Sequence, residues 1–203
     1  MTQIPEDMQA EWNKCDEREK SRSYLLQRFA AVMQLIGDCA MLIALLQNGG
    51  SMSFNKLTWG VKASFRNYVE AAEGSITLND GATRTEDGTF VFLAQPDGDL
   101  FIAADGSATG AMRFQGTVVF EAHGGMLKST LAELGLEAGE NGLVLTVLDA
   151  PMNKSRCAVA DLGPVEVNSA GGLTIASRIT IDGMYQIADN YPPGTELDPI
   201  LLD

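Results

Sequence analysis

Hydrophobic residues between Arg22 and Leu46 recur in alternating steps of four and three, at Leu25, Phe29, Val32, Ile36, Cys39, Ile43 and Leu46. This is a heptad seam sustained for about three heptads, and it predicts a long amphipathic helix. Leu26, Met33 and Ala40 form a second row, with Leu35 and Leu42 beside it, which widens the apolar surface. Exposed alone, such a helix would present a large apolar patch to water. Residues 20–48 are therefore expected to pack on copies of themselves or on a partner protein; folding back on the chain's own domain is the alternative. Arg28 and Asp38 break the run well short of the roughly 20 apolar residues that a membrane span needs, so insertion into a bilayer is not expected. Gln47-Asn48-Gly49-Gly50-Ser51 stops the pattern, as asparagine and glycine do past a helix C-terminus. The chain thus divides into a helical oligomerisation or docking segment (1–48), a Gly-rich linker (49–56) and a body (57–203).

The periodicity of the body changes near Glu73. Trp59 to Glu73 reads as a short helix on which Val61, Phe65 and Tyr68 share a face, with Lys62 and Arg66 to either side. Beyond it, short stretches of strand-forming residues alternate with tight turns. Ser75–Leu78, Thr89–Leu93, Leu100–Ala103, Ala111–Glu121, Gly142–Leu148, Arg156–Leu162 and Leu173–Ile181 read as strands, as does Met184–Ile187. Leu127–Leu134 fits either a strand or a helical turn. Asn79-Asp80-Gly81, Glu86-Asp87-Gly88, Pro96-Asp97-Gly98, Asp105-Gly106 and Asp182-Gly183 supply the breaks. The expected fold is mostly β, an antiparallel sandwich or barrel-like domain with a short helix carrying the tyrosine, preceded by the long N-terminal helix.

With 45% hydrophobic and 20% charged residues the chain has the composition of a globular protein, not of a disordered one. Acidic residues outnumber basic ones 27 to 14, for a formal net charge of −13. That field repels phosphate backbones and anionic headgroups, which excludes nucleic acid and membrane surfaces as expected partners. Cys15, Cys39 and Cys157 have no metal-type spacing and read as reduced or buried thiols. A single histidine argues against a multi-histidine zinc or copper site, and the Asp-Gly turns lack the ligand spacing of an EF-hand. No basic stretch leads into an apolar run within the first twenty residues, so a signal peptide is not expected and a cytoplasmic location is.

Candidate chemistry centres on Tyr68. A phenol emerging from an apolar surface beside positive charge suits ferric iron as a hard oxygen ligand, and an apolar wall suits a flat macrocycle. A structural aromatic at the edge of the core, with its hydroxyl satisfied, is the other reading. Enzyme motifs are missing: the sequence has no Gly-x-Ser-x-Gly elbow, phosphate loop, dinucleotide fingerprint or H-E-x-x-H, and no catalytic residue is expected.

Three blocks carry a family resemblance: Trp59-Gly60-Val61-Lys62-Ala63-Ser64-Phe65-Arg66-Asn67-Tyr68, then Phe120-Glu121-Ala122-His123-Gly124-Gly125, and finally Tyr191-Pro192-Pro193-Gly194-Thr195-Glu196-Leu197-Asp198-Pro199. In order and spacing, from about Leu57 to Ile200, they resemble the HtaA-type haem-binding domain of actinobacterial haem-uptake proteins. The resemblance implies haem as cofactor and Tyr68 as the iron ligand. It implies His123 as a support for that ligand, hydrogen-bonded to the phenol, with direct ligation of iron as the rival role. Tyr191 would line the pocket or assist the ligand, and Lys62 and Arg66 are the cations available to offset the haem carboxylates. Uptake members usually carry an export signal, often a membrane anchor and sometimes tandem copies, and none of these is expected here. The implied function is haem transport, storage or sensing; the alternative is a non-catalytic interaction subunit that keeps the fold without binding haem and assembles through its N-terminal helix.

Overall fold

The computed structural model describes residues 54–103, 107–139, 142–150, 155–169 and 171–203. The helix expected over residues 20–48, and most of the linker after it, lie outside these described residues.

Strand β1 (Lys56–Trp59) opens the body, with Leu57 and Trp59 buried and Lys56 and Thr58 turned outward. Helix α1 (Ala63–Ala71) follows and buries Phe65, Arg66 and Val69. The expected helix began at Trp59; the observed one starts four residues later, and the reason is local. Trp59 belongs to a β ladder, opposite Phe90, and Val61 has φ 63, a left-handed conformation that no α-helix contains. Val61 therefore does not share a helical face with Phe65 and Tyr68.

The remaining elements, in order, are β2 (Ser75–Asn79), β3 (Thr83–Arg84), β4 (Phe90–Ala94), β5 (Phe101–Ile102), β6 (Ala108–Thr109), β7 (Ala111–Gln115), β8 (Thr117–Ala122), β9 (Leu127–Ala132), β10 (Gly135–Gly139), β11 (Gly142–Ala150), β12 (Ser155–Val167), β13 (Leu173–Ile179), α2 (Ile181–Ile187) and β14 (Ile200–Leu202). One large antiparallel sheet runs β1-β14-β13-β12-β11-β10-β7-β4-β3. It closes on itself one strand short of its far end: β1 also pairs along its whole length with β4, from Lys56↔Leu93 to Trp59↔Phe90, leaving the two-residue β3 at the margin. The sheet is thereby closed in the manner of a barrel, which covers the edge that β1 would otherwise expose.

A second sheet, β2-β8-β9, is antiparallel throughout. Its central strand shows period-two burial, with Val118, Phe120 and Ala122 inward and Thr117, Val119 and Glu121 less buried. The pattern predicted one strand over Ala111–Glu121; the chain makes two, in different sheets, divided at Gly116. That residue has φ 134, and a Cβ there would stand 2.8 Å from a Phe92 ring carbon. Only glycine lets the backbone cross from one sheet to the other at this point.

Helix α1 lies on the inner face of the three-stranded sheet, with the Phe65 and Phe120 ring centroids 5.0 Å apart. The region expected to be a strand at Met184–Ile187 is part of α2. Thr180 caps that helix by accepting the Gly183 N–H at 2.8 Å, and Gly183 rests directly on the Val159 carbonyl, where a side chain would collide. Hydrogen bonds of 2.8 Å from Ser129 Oγ to the Gln186 carbonyl and from Gln186 Nε2 to the Thr130 carbonyl fasten α2 to β9. Trp59, Phe65, Phe90, Phe92, Phe114 and Phe120 are the largest fully buried side chains. Among the described residues no helix is long and apolar enough to cross a membrane.

Candidate functional site

Tyr68 sits where the buried face of α1 meets water. Three residues beyond the buried Phe65 and one before the buried Val69, it is 45% exposed, so its ring leans on apolar neighbours while its hydroxyl is free to meet a partner. The partner is His123. The phenol oxygen lies 2.6 Å from His123 Nε2, and the two rings are 5.5 Å apart at 51°.

His123 leaves the end of β8 in a single 3₁₀ turn, His123–Gly125, and its backbone has φ 53. Gly124 and Gly125 continue in the left-handed region, at φ 66 and 90. Histidine is among the few side chains that tolerate this conformation, and two glycines after it complete a reversal that most sequences could not make. The turn carries the imidazole off the strand and over to α1. An imidazole in direct hydrogen-bond contact with a phenol can hold the phenolic proton, which leaves phenolate lone pairs for a metal ion. No set of three or more His, Cys, Asp or Glu side chains gathers at a metal-binding spacing among the described residues.

The structure brings Tyr191 to the same side of α1. Its hydroxyl is 3.1 Å from Ser64 Oγ, its ring stands edge-on to Phe65 at 6.4 Å, and Lys62 Nζ lies 6.0 Å from the ring centroid. Ser64 and Tyr68 are one helical turn apart and on one face, with their Cβ atoms about 5–6 Å apart. Lys62 donates to the Glu196 carbonyl at 2.6 Å. Met126, 90% exposed, follows the His123 turn, and Leu127 next to it is partly buried against the core.

Arg66 does not flank the phenol. Two residues from Tyr68 is about 200° around a helix, and Arg66 is only 7% exposed. Its Nη1 donates to the Gly60 carbonyl and to Asp198 Oδ2, each at 2.5 Å. With Lys56, Thr58, Asp87 and Asp198 it lines an open cleft of about 640 Å³ that none of Tyr68, His123 or Tyr191 borders. Threonines, carboxylates and the two cations line this cleft together with Pro199 and Leu201, apart from the phenol–imidazole pair. Ser64 and Asp198 were missed as site residues. Both stand inside the quoted blocks, but hydrogen-bond partners 127 and 132 positions away leave no periodic trace in a sequence.

A closed antiparallel sheet, a short helix bearing a phenol and a left-handed turn bearing an imidazole together define a β domain with one donor pair at its rim. The chain belongs to the HtaA family, whose model matches residues 55–203. Among solved structures, the C-terminal domain of HtaA from Corynebacterium glutamicum is similar at 30% identity, over 75% of this chain and 97% of that one, with a TM-score of 0.55. The N-terminal domain of the same protein is similar at 26% identity, over 75% and 97%, with a TM-score of 0.57. The haem-binding protein HtaB of that organism shares the fold at 18% identity, over 73% of this chain and 91% of that one, with a TM-score of 0.54. No curated protein matches the chain.

Proposed function

We propose that residues 57–203 bind ferric haem, with the Tyr68 phenolate as iron ligand and His123 holding that phenolate from outside the coordination sphere. The single observation that carries this reading is the 2.6 Å contact between the phenol oxygen and His123 Nε2 at a solvent-accessible rim. Family membership supports it, since HtaA-type domains bind haem. The donor chemistry fits as well: a hard phenolate suits iron(III), and the imbalance of one phenol, one imidazole and two further hydroxyls suits a ligand with one metal and two carboxylates. Haem when bound supplies the ferric iron; the chain's own residues orient it and hold one proton on His123. The Ser64–Tyr191 hydroxyl pair, one turn from the iron ligand, keeps one hydrogen that would be donated to a haem carboxylate, and Lys62 would supply positive charge beside it.

Titration of the purified protein with hemin tests this. The wild type gives a high-spin ferric tyrosinate spectrum; Tyr68→Phe loses it, and His123→Ala weakens binding about tenfold, as loss of a ligand's outer partner does. Free-hemin absorption that the wild-type protein leaves unaltered would overturn the reading.

The heptad pattern of residues 22–46 favours a second component of function. Residues 1–48 act as an oligomerisation or docking segment attached through the 49–56 linker, so that haem domains are presented in more than one copy or beside a partner protein.

A further inference from the structure

The helix that carries Tyr68 has no cap of its own. Lys62 holds the N-cap position without a side-chain hydrogen bond, and no acidic residue lies in the first turn. A cation thus stands at the positive end of the helix dipole, and while the Phe65 and Arg66 N–H groups reach the Lys62 carbonyl at 3.0 and 3.1 Å, the leading Ala63 N–H takes no acceptor from its own turn. The acceptor arrives from the far end of the chain. Asp198 Oδ1 accepts the Ala63 N–H at 3.1 Å, and Oδ2 accepts Arg66 Nη1 at 2.5 Å, so one carboxylate grips the first turn at two points. Its backbone is engaged too. The Asp198 N–H donates to the Val61 carbonyl at 2.9 Å, and its carbonyl accepts the Trp59 indole N–H at 3.0 Å and the Ser177 hydroxyl at 2.8 Å. Gly60 belongs to the same arrangement, because a Cβ there would strike both Arg66 Nη1 and Asp198 Oδ2.

We propose that Asp198 is a positioning residue for the haem ligand: as a cap supplied from the C-terminal block, it sets the rotation and advance of α1 so that the Tyr68 phenol meets His123. The geometry makes the demand plain. One residue of slippage along a helix moves a side chain about 1.5 Å and turns it about 100°, and either displacement breaks a 2.6 Å hydrogen bond. With only nine residues in α1, fraying of an uncapped first turn reaches most of the way to Tyr68. The role in haem binding rests on the function proposed above, but the positioning itself is measured without haem.

The chain holds one histidine, so the imidazole 15N spectrum of the haem-free protein reports His123 alone. Tyr68→Phe marks the signal of an imidazole that has lost its phenol. Asp198→Ala is expected to move the signal to that position, and Asp198→Asn, which keeps an oxygen for the Ala63 N–H but weakens the hold on Arg66, to move it part of the way. Hemin alone, added to the same variants, is expected to bind Asp198→Ala about tenfold more weakly, with a reduced tyrosinate band. A folded Asp198→Ala or Asp198→Asn protein, by circular dichroism, whose His123 signal matches wild type overturns the proposal; a purely stabilising Asp198 would give that result with a lowered Tm. Should Asp198→Ala fail to fold, Asp198→Asn decides by the same criterion. An imidazole signal that moves while wild-type hemin spectra stay those of free hemin keeps the positioning role and removes only the haem reading.

Discussion

Asp87 shows how a single side chain here ties its own loop. In the turn between β3 and β4, its Oδ1 accepts the hydroxyls of Thr85 and Thr89, the latter at 2.8 Å, and the Thr89 N–H at 3.2 Å. These hydrogen bonds, the Thr85 hydroxyl first, hold its pKa down from 3.8 to about 2. A carboxyl depressed in the folded state stabilises the fold above its unfolded pKa, and that contribution fades as pH falls from about 4 through about 2. Asp87→Asn should therefore melt below wild type at pH 7, with the gap closing as the melt is repeated toward pH 2; a gap independent of pH would rule out the linkage. Residue chemistry of this short-range kind is half legible in sequence, for Glu86-Asp87-Gly88 announces a turn. The pairing of Tyr68 with His123 was legible only through the family pattern. That Arg66 is taken by Asp198 was not legible at all, because a cation on an expected helix face gives no sign of which way its helix will turn.

Elements were read well where burial alternates and poorly where the backbone departs from its period. β2, β4 and β11 lie close to their expected places, since short runs rich in Val, Ile, Leu, Phe and Thr stand there between bracketing turns. Leu127–Ala132 resolves as a strand, paired with β8 along its whole length. Three departures share a cause. Val61 in a left-handed conformation delays α1, Gly116 at φ 134 splits one apparent strand into β7 and β8, and the Gly183 contact with Val159 makes a helix of an apparent strand. In each case a single backbone position overrides the pattern around it. Gly116→Ala should accordingly cost about 1–3 kcal/mol by overpacking Phe92 and by backbone strain, measured as a lowered urea midpoint with an unchanged m-value. An unaltered midpoint would mean that the strand crossing does not depend on glycine.

At the scale of the whole chain, closure of the large sheet through β1 and β4 places the two ends of the body together: Leu57 pairs with Leu202 and Thr58 with Leu201 on one side, while β4 completes the other. The terminal block is thereby laid against the first, which is how Asp198 and Tyr191 come to touch α1. Deleting residues 1–48 is expected to leave this body folded, since the family match lies wholly within residues 55–203, and to lower the mass measured by light scattering; equal oligomeric state before and after would refute the assembly role. By itself the sequence determined the mostly β class of fold, the formal net charge of −13 and the membership of the family, because periodicity, charge and motif are properties of residue order. Tertiary structure alone decided that Arg66 is buried against Asp198 while Lys62 reaches the Glu196 carbonyl, and that a carboxylate from the last block caps the helix in the first. Those outcomes depend on contacts between residues more than a hundred positions apart, and such contacts come into being only when the sheet closes.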